Sequence, residues 1–125
     1  KLTGKDGWFA STSGLLDVSA RFVVPESGVL AITVNGRTIS YDVASHTVQA
    51  LGKRADVPPI LDRLDLRILA DRTSIEIYAQ AGLVNMPLFT LPETSEHGLR
   101  VQTSHGWKTE KLDVYELKSA WGKLP

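Results

Sequence analysis

The stretch Leu64 to Tyr78, LDLRILADRTSIEIY, constrains the fold more than any other part of the chain. Leu64, Leu66 and Ile68 alternate with polar residues, as do Ile75 and Ile77, around the polar corner Ala70-Asp71-Arg72-Thr73. Period-2 alternation on both sides of a tight polar break predicts a β-hairpin with one buried face. Alternate side chains of a strand point the same way, so Arg72, Ser74, Glu76 and Tyr78 are expected on the opposite face.

The same grammar runs along the chain. Leu16, Val18, Ala20 and Phe22 alternate with Asp17, Ser19 and Arg21, and Pro25-Glu26-Ser27-Gly28 has turn composition. Val29–Val34 and Thr38–Val43 flank Asn35-Gly36, the dipeptide that best accepts the positive φ of a type I′ turn. Further strands are expected over His46–Leu51, Leu83–Phe89, Leu99–Thr103 and Trp107–Leu117. Gly52–Pro59 reads as a loop because of Pro58-Pro59, and Ile60–Arg63 as at most a helical turn. About nine or ten short strands at this spacing predict an all-β fold, a two-sheet antiparallel β-sandwich of the jelly-roll or concanavalin-like kind. Residues 1–15, with Trp8 among Gly4, Gly7 and Gly14, are expected to be a mobile N-terminal arm or linker. Residues 16–125 are expected to be the sandwich module.

At 125 residues the chain is long enough for one core without staples. It has no cysteine, which excludes disulfides, thiolate metal sites and a cysteine nucleophile. Fourteen basic and fourteen acidic residues cancel and are interspersed, unlike the basic face that nucleic acid requires. No apolar run approaches the ~20 residues of a membrane-spanning helix. No signal peptide is visible, and the start on Lys1 suggests a piece of something longer.

Asp71 and Glu76 are the nearest approach to a carboxylate pair, but a turn Asp bonds its neighbouring backbone and Glu76 sits mid-strand. No catalytic residue is therefore assigned. Sugars are bound less demandingly, by Asp, Glu and Arg hydrogen bonds to hydroxyls and an aromatic ring against C–H groups. Asp71, Arg72, Glu76, Tyr78 and Trp107 form the candidate sugar-binding set. Against it stand an Arg72 pairing with Glu76 or Asp71 that pins the hairpin, a docking role for this polar face, and Trp107 as an edge-of-core ring. His46, His97 and His105 are far apart and lack zinc-site spacing. Ser11-Thr12-Ser13-Gly14 lacks the Lys and following helix of a phosphate loop. No acidic cluster suggests Ca²⁺, and no metal or cofactor is expected.

Three motifs occur in the order of a known module. Leu66-Arg67-Ile68-Leu69, Asp71-Arg72-Thr73-Ser74 and Ile75-Glu76-Ile77-Tyr78 form the first; Ile39-Ser40-Tyr41-Asp42 is the second; Val114 to Trp121, ending in Ser119-Ala120-Trp121, is the third. Together they resemble the C-terminal β-sandwich module of glycoside hydrolase family 32, the invertases, inulinases and levanases. Thr73 for Ser and Tyr78 for Phe are mild departures. The likeness runs from about Leu16 to Trp121. The family's catalytic motifs, including its Arg-Asp-Pro and Glu-Cys elements, are absent from the sequence. The resemblance implies a non-catalytic module that packs against and stabilises a catalytic β-propeller lying outside this chain, with Trp121 plugging the seam. It also implies fructan oligosaccharides and a homodimer as further partners, and a secreted, periplasmic or cell-surface location. A fructan-binding module or lectin acting alone is the alternative, and a generic adhesive sandwich the third.

Overall fold

Alternation of apolar and polar residues builds the two layers directly. The computed structural model describes residues 1–88 and 96–117. Eleven strands follow one another: β1 (Trp8–Ala10), β2 (Leu16–Val23), β3 (Val29–Val34), β4 (Arg37–Asp42), β5 (Thr47–Ala50), β6 (Lys53–Asp56), β7 (Arg63–Ala70), β8 (Ile75–Ala79), β9 (Val84–Leu88), β10 (Gly98–Thr103) and β11 (Lys108–Glu116). All pairings between neighbours are antiparallel. One sheet has the order β1-β10-β3-β4-β5-β6, the other β11-β2-β7-β8-β9. The architecture is the expected two-sheet sandwich.

The core lies between the sheets. From the six-stranded sheet come Leu30, Ile32, Val34, Ile39, Tyr41 and Val48; from the five-stranded sheet come Leu16, Val18, Phe22, Leu64, Ile68 and Ile77. Ile68 and Ile77 lie opposite each other in register, both inward, as the hairpin pattern requires. Tyr41 is buried, its hydroxyl donates to Val57 O at 2.7 Å, and burial pushes its pKa up to about 12.

A buried amide side chain clamps each end of the sandwich. At one end Asn35, in the type I′ turn with Gly36, donates Nδ2 to Gly14 O at 2.9 Å and Asp71 O at 3.2 Å. Its Oδ1 accepts from Gly98 N at 3.0 Å. At the other end Gln80 Nε2 donates to Pro58 O at 2.9 Å and Arg63 O at 3.0 Å, while its Oε1 accepts from Asp65 N at 2.8 Å. Buried polar groups are stabilising only when satisfied in this way.

Three expectations are corrected. The segment over Gly52–Pro59 is not all loop: β6 forms there, although Lys53-Arg54-Ala55-Asp56 shows no apolar alternation, because it is an edge strand pairing with β5 alone. Ile60–Arg63 is not a helical turn. Leu61 and Asp62 both adopt positive φ, 51° and 62°, and Ile60 and Arg63 exchange backbone hydrogen bonds at 3.0 and 2.9 Å. That is a two-residue reversal of type I′ geometry. Within residues 1–15, expected as a mobile arm, β1 pairs with β10, and Leu2 N donates to Val114 O at 2.8 Å. The short Trp8-Phe9-Ala10 run was hidden by the glycines around it.

Candidate functional site

The β7–β8 corner is held by its own aspartate. Asp71 Oδ1 accepts from Thr73 N at 2.8 Å and Ser74 N at 2.7 Å, the geometry of an Asx turn. Burial pushes the Asp71 carboxyl up, but the amides of Thr73 and Ser74 and their hydroxyls outweigh it and hold the group below its usual range. A carboxylate committed to two amides is poorly placed to move a substrate proton. Arg72 donates Nε to Ser13 O at 3.0 Å, and its carbonyl accepts from Arg37 Nη2 at 2.9 Å. The corner thus braces the β1–β2 connection and the β3–β4 hairpin.

The five candidate sugar-binding residues fall in three places. Asp71 and Arg72 border a small depression with Ser13, Leu15 and Thr73 at one end of the sandwich. Glu76 and Tyr78 lie on the outer face of β8, where the Glu76 carboxylate raises the Tyr78 phenol. Tyr78 opens, with Arg21, Asp65, Arg67 and Lys111, on a shallow groove of about 490 Å³ along that sheet. Trp107 is elsewhere, edge-on to both Phe22 and Tyr41 at 6.1 Å between ring centroids. It serves as a rim of the core.

Charges on the outer face of the five-stranded sheet neutralise one another. Arg21 pairs with Asp65 at 2.8 Å, Arg67 with Asp17 at 3.0 Å, and Lys1 with Asp113 at 2.7 Å.

The Ser11–Gly14 tract, although no phosphate loop, does wrap an anion, and that anion is the Glu116 carboxylate. Glu116 Oε2 accepts from the Ser11 hydroxyl, from Thr12 N at 2.7 Å and from Ser13 N at 3.2 Å. These donors, the Ser11 hydroxyl foremost, hold Glu116 below the usual carboxylate range. The sequence signal was there: Ser-Thr-Ser-Gly offers hydroxyls and consecutive amides, and only the partner was invisible.

Among the described residues no group of three or more His, Asp or Glu side chains is placed to hold a metal ion. Trp121 lies outside the described residues, so its seam role has no structural counterpart here.

Residues 19–118 match the family model for the C-terminal region of glycosyl hydrolases of family 32. The chain belongs to that family. The matched span runs from the middle of β2 through β11, including the hairpin corner and the Ile39–Asp42 strand. This family 32 C-terminal module is 32% identical over 72 residues to a levanase of Bacillus subtilis (strain 168), covering 57% of the chain and 11% of the levanase. Among solved structures, an exo-inulinase from Aspergillus awamori superposes with a TM-score of 0.71 at 20% identity, over 89% of the chain and 26% of the inulinase. A fructofuranosidase from Schwanniomyces occidentalis complexed with fructose gives 0.66 at 17% identity, over 91% of the chain and 32% of that protein. The last two show the fold of the module. The chain therefore spans a minor part of each relative's length, and the catalytic domain lies outside it.

Proposed function

We propose that residues 1–125 are the accessory module of a fructan- or sucrose-acting glycoside hydrolase, seated against its catalytic β-propeller and stabilising it. One observation carries this reading: family membership over residues 19–118, in a chain corresponding to only 26% of the inulinase it superposes on. The local chemistry agrees, since Asp71 and Glu116 are each spent on backbone amides. Secretion to the periplasm, cell surface or medium, and pairing of two copies, belong to the same proposal. The alternative, a fructan-binding module acting alone at the hairpin, gains no support from residues spread over three places.

Incubation of the isolated chain with sucrose, inulin and levan tests the proposal. No fructose release is expected at any concentration, whereas the chain added to a separately produced catalytic region should raise that region's unfolding temperature. Fructose release by the chain alone would contradict the proposal.

A further inference from the structure

A sandwich has two outer faces, and here they differ in apolar content. On the six-stranded sheet, β3 and β4 turn out Ala31, Thr33, Thr38, Ser40 and Asp42, with Val29 the one large apolar residue among them. The outer face of the five-stranded sheet is apolar toward the hairpin corner. Register puts Tyr115, Asp17, Leu69, Glu76 and Pro87 in one row across it. Leu117 N bonds Leu15 O at 2.8 Å, which carries the β11–β2 ladder one step further and sets Leu117 opposite Leu15. Alternation turns both toward the side of Asp17 and Tyr115. Leu15, Leu69, Tyr115 and Leu117 are therefore same-face neighbours around Asp17, at separations of about 5–8 Å. Tyr115 and Leu117 are 45% and 46% exposed. Single apolar residues on a surface mean little, whereas a contiguous patch marks an interaction site.

The charged groups of this face are arranged so that it can be covered. Asp17, at the centre of the patch, accepts from Arg67 Nε at 3.2 Å and Nη2 at 3.0 Å. Arg21 pairs with Asp65, Lys1 with Asp113, and the Tyr78 hydroxyl with Glu76. Left to water, such pairs contribute almost nothing. Under a partner they keep each charge from being buried alone, which would be strongly destabilising. Beside the patch runs the groove of about 490 Å³ bordered by Leu69 and Tyr78, with room for a protruding segment. Five strands about 4.8 Å apart span about 19 Å, and the rows from Leu15 to Arg21 about 20 Å, so the face offers about 400 Å² in projection. Contacts between domains of one chain bury about 600–1,500 Å² in all, and two such faces supply that.

We infer that this face of the five-stranded sheet is where the module seats against the catalytic β-propeller of its parent enzyme. The inference rests on the accessory role proposed above and adds the surface that performs it. The family match is to the C-terminal region of these hydrolases, so the chain reaches the module from the catalytic domain through the residues ahead of β2. Those residues run to this face. Leu2 N donates to Val114 O at 2.8 Å, and Lys1 Nζ lies 2.7 Å from Asp113 Oδ1, two residues from Tyr115 on the same side of β11. Connections are short, so a domain delivered at that edge covers Tyr115, Leu117 and Leu69 first. Leu61 and Leu83 are more exposed, but they stand on turns at the opposite end of the strands.

Hydroxyl-radical footprinting, read by mass spectrometry, compares residues 1–125 alone with the same residues in the parent enzyme. Oxidation of Tyr78, Tyr115 and Leu117 should fall severalfold in the parent enzyme, while Leu61 and Leu83 react equally in both. The parent enzyme carrying Leu69→Arg and Tyr115→Arg should unfold at the lower temperature of the enzyme without the module. The same two changes should move the unfolding of the isolated chain much less. Where the double variant fails to fold, footprinting of the natural chain decides alone. Protection at Leu61 and Leu83 in place of Tyr115 would overturn the choice of face and leave the accessory role standing. Protection of Tyr115 already present in the isolated chain would also overturn it, assigning the patch to residues 118–125 or, if it grows with protein concentration, to a second copy. Equal, high reactivity of the face in both forms would overturn the inference. The accessory role falls with it only if the enzyme unfolds at one temperature with and without the module.

Discussion

The side-chain amide of Asn35 donates to the carbonyl of Asp71 at 3.2 Å, joining the corner of a hairpin in one sheet to the corner of a hairpin in the other. The same amide holds Gly14 O and Gly98 N, so a single buried residue ties four segments together. Asn35→Gly keeps the positive φ that the turn needs but strands those partners. Each buried group left without a hydrogen bond costs about 1–3 kcal/mol, and a total loss of about 3 kcal/mol is expected. The denaturant midpoint should fall with an unchanged slope. A loss below about 0.5 kcal/mol would show the clamp to be incidental.

Acid should weaken the module through carboxylates held below their ordinary pKa. Glu116 is lowered from 4.5, chiefly by the Ser11 hydroxyl; Asp71 is lowered from 3.8 by the Thr73 and Ser74 groups despite opposing burial. A depressed folded-state pKa contributes stability that is complete above the unfolded value and is lost as pH falls through the folded one. Stability should therefore decline below about pH 4.5 as the Glu116 contribution is titrated away. Denaturant midpoints measured against pH should show a shallower decline for Glu116→Gln than for the natural chain. Parallel curves would mean that the Ser11–Ser13 wrap contributes nothing.

Much of this was legible in residues alone. Alternation in Leu64–Ile77 and Leu16–Phe22 reports burial on one face, and Asn35-Gly36 reports turn geometry, so these elements and the fold class followed. β6 was not legible, because this edge strand turns only Ala55 toward the core, and a single apolar residue makes no alternation. Trp8 was read as part of an arm since its place depends on Gly98, ninety residues away in sequence and in contact only after folding. The hairpin motif marked structure more than ligand: Asp71 and Arg72 brace the corner.

Gly98 is the position where β1 depends on the absence of a side chain. A Cβ there would lie 2.5 Å from Phe9 O and 2.8 Å from the Trp8 ring, at a φ of +146°. Gly98→Ala should cost about 2 kcal/mol and lift β1 from β10. Limited proteolysis should then cut within residues 1–10 while the remainder stays intact, and Trp8 fluorescence should shift to the red. An unaltered digestion pattern would contradict the docking of this segment.

The reversal at Leu61-Asp62 works against local preference. Leu61 is 88% exposed and adopts a φ of 51°, a conformation that costs a residue like leucine about 1–2 kcal/mol. Combining Leu61→Asn with Asp62→Gly supplies the residues this turn favours and should raise stability by about 1 kcal/mol. Calorimetric unfolding checks it. A fall in stability would show that Leu61 makes a contact its exposure conceals.

The accessory role is tested most directly by thermal unfolding of the parent enzyme with and without residues 1–125. The enzyme lacking them should retain its catalytic residues yet unfold at a temperature several degrees lower, and added module should restore part of the difference. Equal unfolding temperatures, with no response to added module, would contradict the claim that this sandwich stabilises a catalytic domain.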